Sequence, residues 1–279
     1  MLYIITPEIQ SSFGNHLRLE EKSPATIEKY TRDVRAFAAF ADGREVDKAL
    51  VLNYKNSLLD QYTATSANSM LAALNSFFRF CGWHDLTVKQ FRVQRQAFCS
   101  EEKELSRQEY MRLVSTAECT GNEKLALVLQ TICGTGIRVS ELAYITAEAV
   151  RHGEAHVNCK GKTRRIFIVP ELKKKLLTYI KKQGIREGSV FVTKNGKALN
   201  RTTIWRAMKA LCSAAKVAAT KVFPHNLRHL FARIFYSMQK DIVTLADLLG
   251  HASINTTRIY TVTTGETHKR KMKLMKLIM

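Results

Sequence analysis

Apolar residues recur at helical spacing through most of this chain, and the polar breaks between them mark the ends of the elements. Ile9, Phe13, Leu17 and Leu19 predict a first helix within residues 1–22. Ser23-Pro24 restarts the chain as N-cap and first helical residue of a second helix, Pro24 to Phe40, with the stripe Ile27, Tyr30, Val34, Phe37 and Phe40. Asp42-Gly43 makes a turn. A third helix is expected from Asp47 to Gln61. A fourth is expected from Thr65 to Cys81, carrying Met70, Leu71, Leu74, Phe77, Phe78 and Phe80 and ended by Gly82. Four helices with short connections predict a small bundle.

Between Asp85 and Lys103 the periodicity fades into mixed polar and basic residues. The expected division is a helical domain over 1–98, a linker over 99–104 and a second domain over 105–279. A basic linker between two lobes suits a chain that clamps a duplex. Ser106 and Glu109 form a capping box that starts a helix running to Ala117, followed by another from Asn122 to Cys133. Gly134-Thr135-Gly136 forces a turn, and Val139 to Ile145 is helical again. Ala155–Cys159 and Arg164–Val169 have strand character and are joined as a hairpin by Lys160-Gly161-Lys162-Thr163. Glu171–Gln183 is a lysine-rich helix, and Val190–Thr193 a short strand before the Asn195-Gly196 turn. Helices then follow over Arg201–Val217 (capped by Asn200), Pro224–Gln239, Asp241–Leu249 (closed by Gly250) and Ile254–Tyr260 (capped by Ser253). The expected fold class is mainly α with a small antiparallel β-sheet (α+β).

Charge changes this picture most. Of the net +20, residues 1–100 carry 12 Lys/Arg and 10 Asp/Glu, a net +2, and residues 101–279 carry 32 and 14, a net +18. Such one-sided charge repels itself unless a polyanion is the partner; nucleic acid is the leading candidate, double-stranded DNA among the expected partners, and an anionic membrane surface is the runner-up. In the first domain Lys22, Lys29, Arg32 and Arg79 form either a basic DNA-facing surface or an ordinary solvated one. No apolar run reaches the length of about 18 residues needed to span a bilayer. The start MLYIITPEIQ lacks a basic n-region. The expectation is a cytoplasmic, bacterial, nucleoid-associated protein without a membrane partner. The six cysteines (Cys81, Cys99, Cys119, Cys133, Cys159, Cys212) show no CxxC pair, and read as buried free thiols with neither disulfides nor a zinc site.

Cations then stand at four separated places. Arg138 follows a Gly-Thr-Gly turn, Lys160 sits at the hairpin tip, His225 and Arg228 share a helix face, and His251 stands in the turn before Tyr260. Each alone reads as a surface or turn residue. Together they fit displacement at a phosphodiester. Two arginines can grip non-bridging oxygens bidentately, histidines can hydrogen-bond or move protons, a lysine can protonate the leaving oxygen, and a tyrosine can attack. With this much fixed positive charge no metal is needed to offset the developing charge, and no cofactor is expected. His225 and His229, four residues apart, lack the glutamate of a zinc-protease helix, because Asn226 follows His225.

The segments TGIRVSEL (135–142), HNLRH (225–229) and LGHASINTTRIY (249–260) give the order Arg, Lys, His-x-x-Arg, His, Tyr. This order resembles the tyrosine recombinase (phage integrase) family over the whole of residues 105–279. Residues 6–95 are similar to the family's helical core-binding domain. The resemblance implies a site-specific DNA recombinase, a DNA strand transferase, of the simple Xer type or from a small mobile element. In that family's scheme Tyr260 attacks the scissile phosphate and forms a 3′-phosphotyrosyl link. Arg138 and Arg228 clamp the phosphate, and His225 and His251 assist by hydrogen bonding and acid–base work. The hairpin lysine protonates the 5′ oxygen. Lys160 is assigned to that role, with Lys162 the alternative because the loop reads Cys-Lys-Gly where the family has Gly-Lys-Gly. Glu141 is implied to orient Arg138, and His229 is either a supporting residue or a packed helix histidine.

The resemblance further implies a homo-tetramer in a synaptic complex, with each C-terminal helix docked on a neighbour. The amphipathic stretch 268–279 suits that exchange or docking on its own domain. An accessory DNA-bending or directionality factor is among the expected partners, whereas arm-type sites are not expected, since no further domain precedes the helical one. Two other readings stand beside this one: a type IB topoisomerase-like enzyme that only relaxes supercoils, and a sequence-specific DNA-binding protein without catalysis. Should Tyr260 not be the nucleophile, Tyr236 is next.

Overall fold

A computed structural model describes residues 3–93, 104–159, 162–193 and 195–260 together with Lys273; of Cys159 and Lys162 only the backbone is described. The chain divides into two compact units, Met1–Arg95 and Gln96–Met279.

In the first unit four helices start where their caps dictate. Helices α1 (Pro7–Leu19), α2 (Pro24–Ala41), α3 (Lys48–Gln61) and α4 (Ala64–Phe80) follow Thr6, Ser23, Asp47 and Thr63. Each of these side chains accepts the backbone N–H of the residue three positions on. Phe13, Val34, Phe37, Leu71, Phe77 and Phe78 interlock in the core. Leu19, expected on the buried stripe, is 85% exposed, because α1 ends there and the stripe stops at Leu17. Lys29 and Arg32 both reach the buried carboxylate of Asp33, at 2.5 and 3.2 Å, so part of the candidate basic face is neutralised internally. Asn75 and Asn68, on α4, exchange paired hydrogen bonds with the backbones of Val88 and Phe91 beyond it. As far as residue 93, the stretch whose periodicity fades is therefore irregular yet fastened; 94–103 lie outside the described residues.

The second unit is built around α6 (Glu123–Thr135), whose residues Leu125 to Leu129 and Ile132 are all buried. Against it lie α5 (Arg107–Cys119), started by the expected Ser106–Glu109 capping box, and α8 (Pro170–Gln183). Helix α6 continues through Gly134 and stops at Gly136, which takes φ +66°, so the turn begins two residues later than expected. A 3₁₀ turn over Val139–Tyr144 and a short helix α7 (Ala147–His152), not anticipated from the sequence, lead into the hairpin. Strands β1 (Glu154–Cys159) and β2 (Lys162–Phe167) pair antiparallel with Ala155 opposite Ile166. The second strand thus starts two residues before its expected position, and the hairpin tip at 160–161 lies outside the described residues.

Three further expectations are corrected. The segment 190–193 is not a strand but makes one isolated bridge, Val192 with Ala198. Helix α9 (Arg201–Leu211) stops well before Val217, and the chain turns back at Lys216 with φ +51°. Of the described cysteines only Cys212 is buried; Cys119 is exposed, and Cys81 and Cys133 are half-buried free thiols.

Helices α10 (Pro224–Gln239) and α11 (Ile242–Leu249) then lead to α12 (Ile254–Thr257) and a terminal 3₁₀ turn, Arg258–Tyr260. No described helix is long and apolar enough to cross a membrane. The amphipathic stretch 268–279 lies outside the described residues, Lys273 excepted.

Candidate active site

The site is assembled around the carboxyl end of α11. Gly250 closes that helix at φ +62°, leaving the carbonyls of its last residues to be satisfied by other groups. Three arginines from three different elements meet them. Arg164, on β2, donates to the Leu248 carbonyl; Arg228, on α10, donates through Nη2 to Leu249 O at 2.7 Å; Arg138, ahead of the 3₁₀ turn, reaches Gly250 O at 3.5 Å. A helix carboxyl terminus carries partial negative charge, which offsets the mutual repulsion of guanidinium groups so close together.

Glu141 supplies the countercharge. It is 2% exposed and accepts from the Arg138 backbone N–H at 2.7 Å, from Arg138 Nη1 at 2.9 Å and from Arg164 Nη2 at 2.5 Å. Burial would raise its pKa, but these hydrogen bonds and the Arg164 charge outweigh burial and hold the carboxyl below its ordinary value. Arg228 is itself 2% exposed and also donates to Gly136 O at 2.7 Å. Burial first, then the Arg138 charge, lowers its pKa to about 10, so it remains a cation at neutral pH. Arg138 keeps 40% of its side chain exposed.

The histidines are held neutral. His251 Nε2 lies 3.0 Å from Arg228 Nη2, and its Nδ1 lies 2.8 Å from Thr257 Oγ1. A guanidinium can only donate, so Nε2 accepts, and the ring is assigned the Nδ1–H tautomer that donates to Thr257. Burial first, then Arg228, Arg138 and Arg164, pushes the His251 pKa down to about 4. His225, exposed at the second position of α10, is also lowered, by partial desolvation and then by Arg228, Arg201 and Arg138. His229, one turn further along, is driven to about 4 by burial and then by His225. The His225 and His229 rings pack edge to face with centroids 4.4 Å apart, and the buried His229 Nε2 has no hydrogen-bond partner among the described residues.

Tyr260 completes the group. Its ring meets His229 edge to face at 4.8 Å and stacks near His251 at 5.9 Å. It is 4% exposed, in a small cluster with Ala232, Leu245 and Leu249. Burial raises the phenol pKa, while the Arg228 charge and hydrogen bond, then Arg138, pull against it. Five of the six sequence-predicted residues (Arg138, His225, Arg228, His251, Tyr260), with Glu141 and His229, thus converge in one unit. Lys160 lies outside the described residues, as does the side chain of Lys162, and Tyr236 packs on the edge of the Tyr260 cluster. Arg164 was missed by sequence reasoning. Among the described residues no group of three or more His, Cys, Asp or Glu could hold a metal ion. The arrangement can grip a phosphate with fixed cations, offer neutral imidazoles as proton acceptors and present a phenol beside them.

Comparison with known proteins agrees in both units. Residues 103–266 match the phage integrase family, and residues 11–84 match the phage integrase N-terminal SAM-like domain. The chain is 30% identical over 285 residues to the tyrosine recombinase XerA of Pyrococcus horikoshii, covering 99% of this chain and 96% of that protein. A crystal structure of XerA recombinase is 25% identical and covers 98% of this chain and 99% of that one, with a TM-score of 0.55. A lambda integrase tetramer bound to a Holliday junction shares the fold at a TM-score of 0.73 and 18% identity, covering 91% of this chain and 76% of that one. With a matching family profile over more than half its length, this chain belongs to the phage integrase family, the tyrosine site-specific recombinases, which cleave and rejoin DNA.

Proposed function

We propose that this protein is a simple recombinase of the Xer or mobile-element type, with Tyr260 as nucleophile and Arg138 and Arg228 as phosphate clamp. The observation that carries this reading is the packing of Tyr260 between His229 and His251, with His251 on the buried Arg228. In the step itself the phenol oxygen bonds to phosphorus and the bond to the 5′ oxygen breaks, leaving a 3′-phosphotyrosyl link. The phenol proton needs a neutral acceptor, and the imidazoles of His225, His229 and His251 are all biased toward the neutral form. The proton for the 5′ oxygen is assigned to Lys160, with Lys162 the alternative. Glu141 holds Arg138 in place. Tyr260 is 4% exposed, so in this reading its hydroxyl must become accessible to the scissile phosphate.

In this reading residues 1–98 form the core-binding domain, 99–104 the linker and 105–279 the catalytic domain, acting on double-stranded DNA in the cytoplasm, at the nucleoid. Four protomers synapse two sites and exchange their 268–279 stretches, with a bending or directionality factor as an additional partner. A suicide substrate nicked beside the crossover tests the core of the proposal. Wild-type protein is expected to form a covalent adduct resolved on a denaturing gel, and Tyr260→Phe to bind equally well and form none. Adducts with both would move the nucleophile, to Tyr236 first. Tight binding with no adduct from either would favour the reading without catalysis.

A further inference from the structure

We propose that Arg164 is a positioning residue of the cleavage site, which locks the strand leading from the hairpin tip to both Glu141 and the turn that presents His251. The inference rests on the reading above and concerns the way that site is held. Arg164 lies on β2, two residues beyond the strand's start at Lys162. The residues on its face of the strand, Ile166 and, beyond it, Ile168, point into the core, whereas Arg165 and Phe167 are exposed and lie against each other. An arginine on the buried face is costly to desolvate unless its donors are used.

Here two of its nitrogens serve two different elements. Nη2 reaches Glu141 at 2.5 Å, and Nη1 donates to the Leu248 carbonyl. The stem is wedged against the α11 cap. A Cβ placed on Gly250 would stand 2.5 Å from Arg164 Cδ and 2.9 Å from its Nε. Only 12% of the side chain is exposed, and both terminal nitrogens are engaged by protein acceptors. Its effects pass through neighbours. The carboxylate it fixes also holds Arg138, and the turn it abuts carries Gly250 and His251. A guanidinium fork suits this task because its donors diverge at fixed angles, whereas an ammonium offers a single point charge.

The test uses the full chain on the nicked suicide substrate, with single-turnover cleavage measured at saturating DNA and affinity measured separately. Arg164→Met and the milder Arg164→Lys are expected to slow cleavage about 10- to 100-fold, as is typical when an orienting partner is lost. DNA affinity and the salt slope should stay within about twofold of wild type, because Arg164 is not itself a phosphate contact. Arg165→Lys, on the exposed face of the same strand, should cleave at the wild-type rate. A residue needed only for stability would lower the melting temperature and leave the saturating rate of the folded protein unchanged. Loss of rate in Arg164→Lys at an unchanged melting temperature therefore supports positioning. Wild-type rates in both Arg164 variants, or losses that follow affinity alone, would overturn it. Those outcomes remain distinct from failure of the parent reading, in which wild type itself forms no Tyr260-dependent adduct.

Discussion

Gly250 shows what a single atom decides at this site. Its φ of +62° is a conformation that side chains rarely adopt, and an added Cβ would collide with Arg164. Gly250→Ala is therefore expected to lose about 1–3 kcal/mol of stability. Its cleavage should also slow, since the Arg164 contacts must shift. Urea unfolding alongside suicide-substrate cleavage would check this, and an alanine variant with both properties unchanged would contradict the assigned geometry. The histidines make a second prediction at this scale. His229 and His251 have folded-state pKa values near 4, against an ordinary 6.5. The unfolded chain therefore binds more protons between those limits, so their contribution to stability is complete above pH 6.5 and is lost as the pH falls toward 4. The urea midpoint should drop on acidification through this window, and the drop should shrink in a His229→Gln, His251→Gln double variant. An unchanged slope in that variant would assign the acid sensitivity to other groups. Most of the site was legible because each residue stands in a short motif at a turn or helix start. Arg164 was not, for the Thr-Arg-Arg-Ile stretch offers two adjacent arginines. The available signal was parity: Arg164 shares the strand face of Ile166 and Ile168, and Arg165 does not.

Elements were readable in proportion to how locally they are determined. The caps at Ser23, Asp47, Ser106, Asn200, Asp241 and Ser253 all accept backbone N–H groups at their helix starts, since capping depends only on the residues in that first turn. Stops decided by tertiary packing were harder. Ala214, Ala215 and Lys216 are good helix formers, yet the chain leaves the helix at Leu211, and Arg112 of α5 donates to the carbonyls of Ala215 and Lys216 at 3.1 and 3.3 Å. Helix α7 is six residues long, too short for a periodic signal. The 190–193 segment reads as a strand because it is apolar, but it has no partner long enough to form a ladder. The capping box supplies the prediction at this scale. Ser106→Ala removes one half of a reciprocal pair, Glu109 N to Ser106 Oγ at 3.1 Å and Ser106 N to Glu109 Oε2 at 2.8 Å. It should destabilise the protein by about 1 kcal/mol. Since Ser106 contacts none of the site residues, cleavage at saturating DNA should be unaffected. A large kinetic defect would show that α5 carries more than packing.

Over the whole molecule the charge is concentrated in the second part of the sequence. Residues 101–279 hold a net +18 of the total +20. Within that half, some of the basic side chains are already paired: Lys182 with Glu123 at 2.7 Å, Lys221 with Glu109 at 3.0 Å, and Arg233 with Glu104. The first unit also spends Lys29 and Arg32 on Asp33. The number of cations free to neutralise phosphates is therefore smaller than the composition implies, and the salt dependence of binding measures it directly. Each phosphate neutralised releases condensed counterion and adds about −0.9 to the slope of log K against log salt on duplex DNA. A chain contacting DNA through both units should show a steep slope, and affinity should fall by orders of magnitude between about 50 and 200 mM salt. The Tyr260→Phe variant should show the same slope as wild type, because the phenol carries no charge at neutral pH. Replacing Arg138, whose side chain keeps 40% of its surface exposed, should by contrast reduce the slope by about one phosphate's share while weakening binding to specific and unrelated duplexes alike. A flat salt response would mean that the cations of residues 101–279 do not meet the phosphate backbone, and would remove the electrostatic basis for the DNA-binding reading.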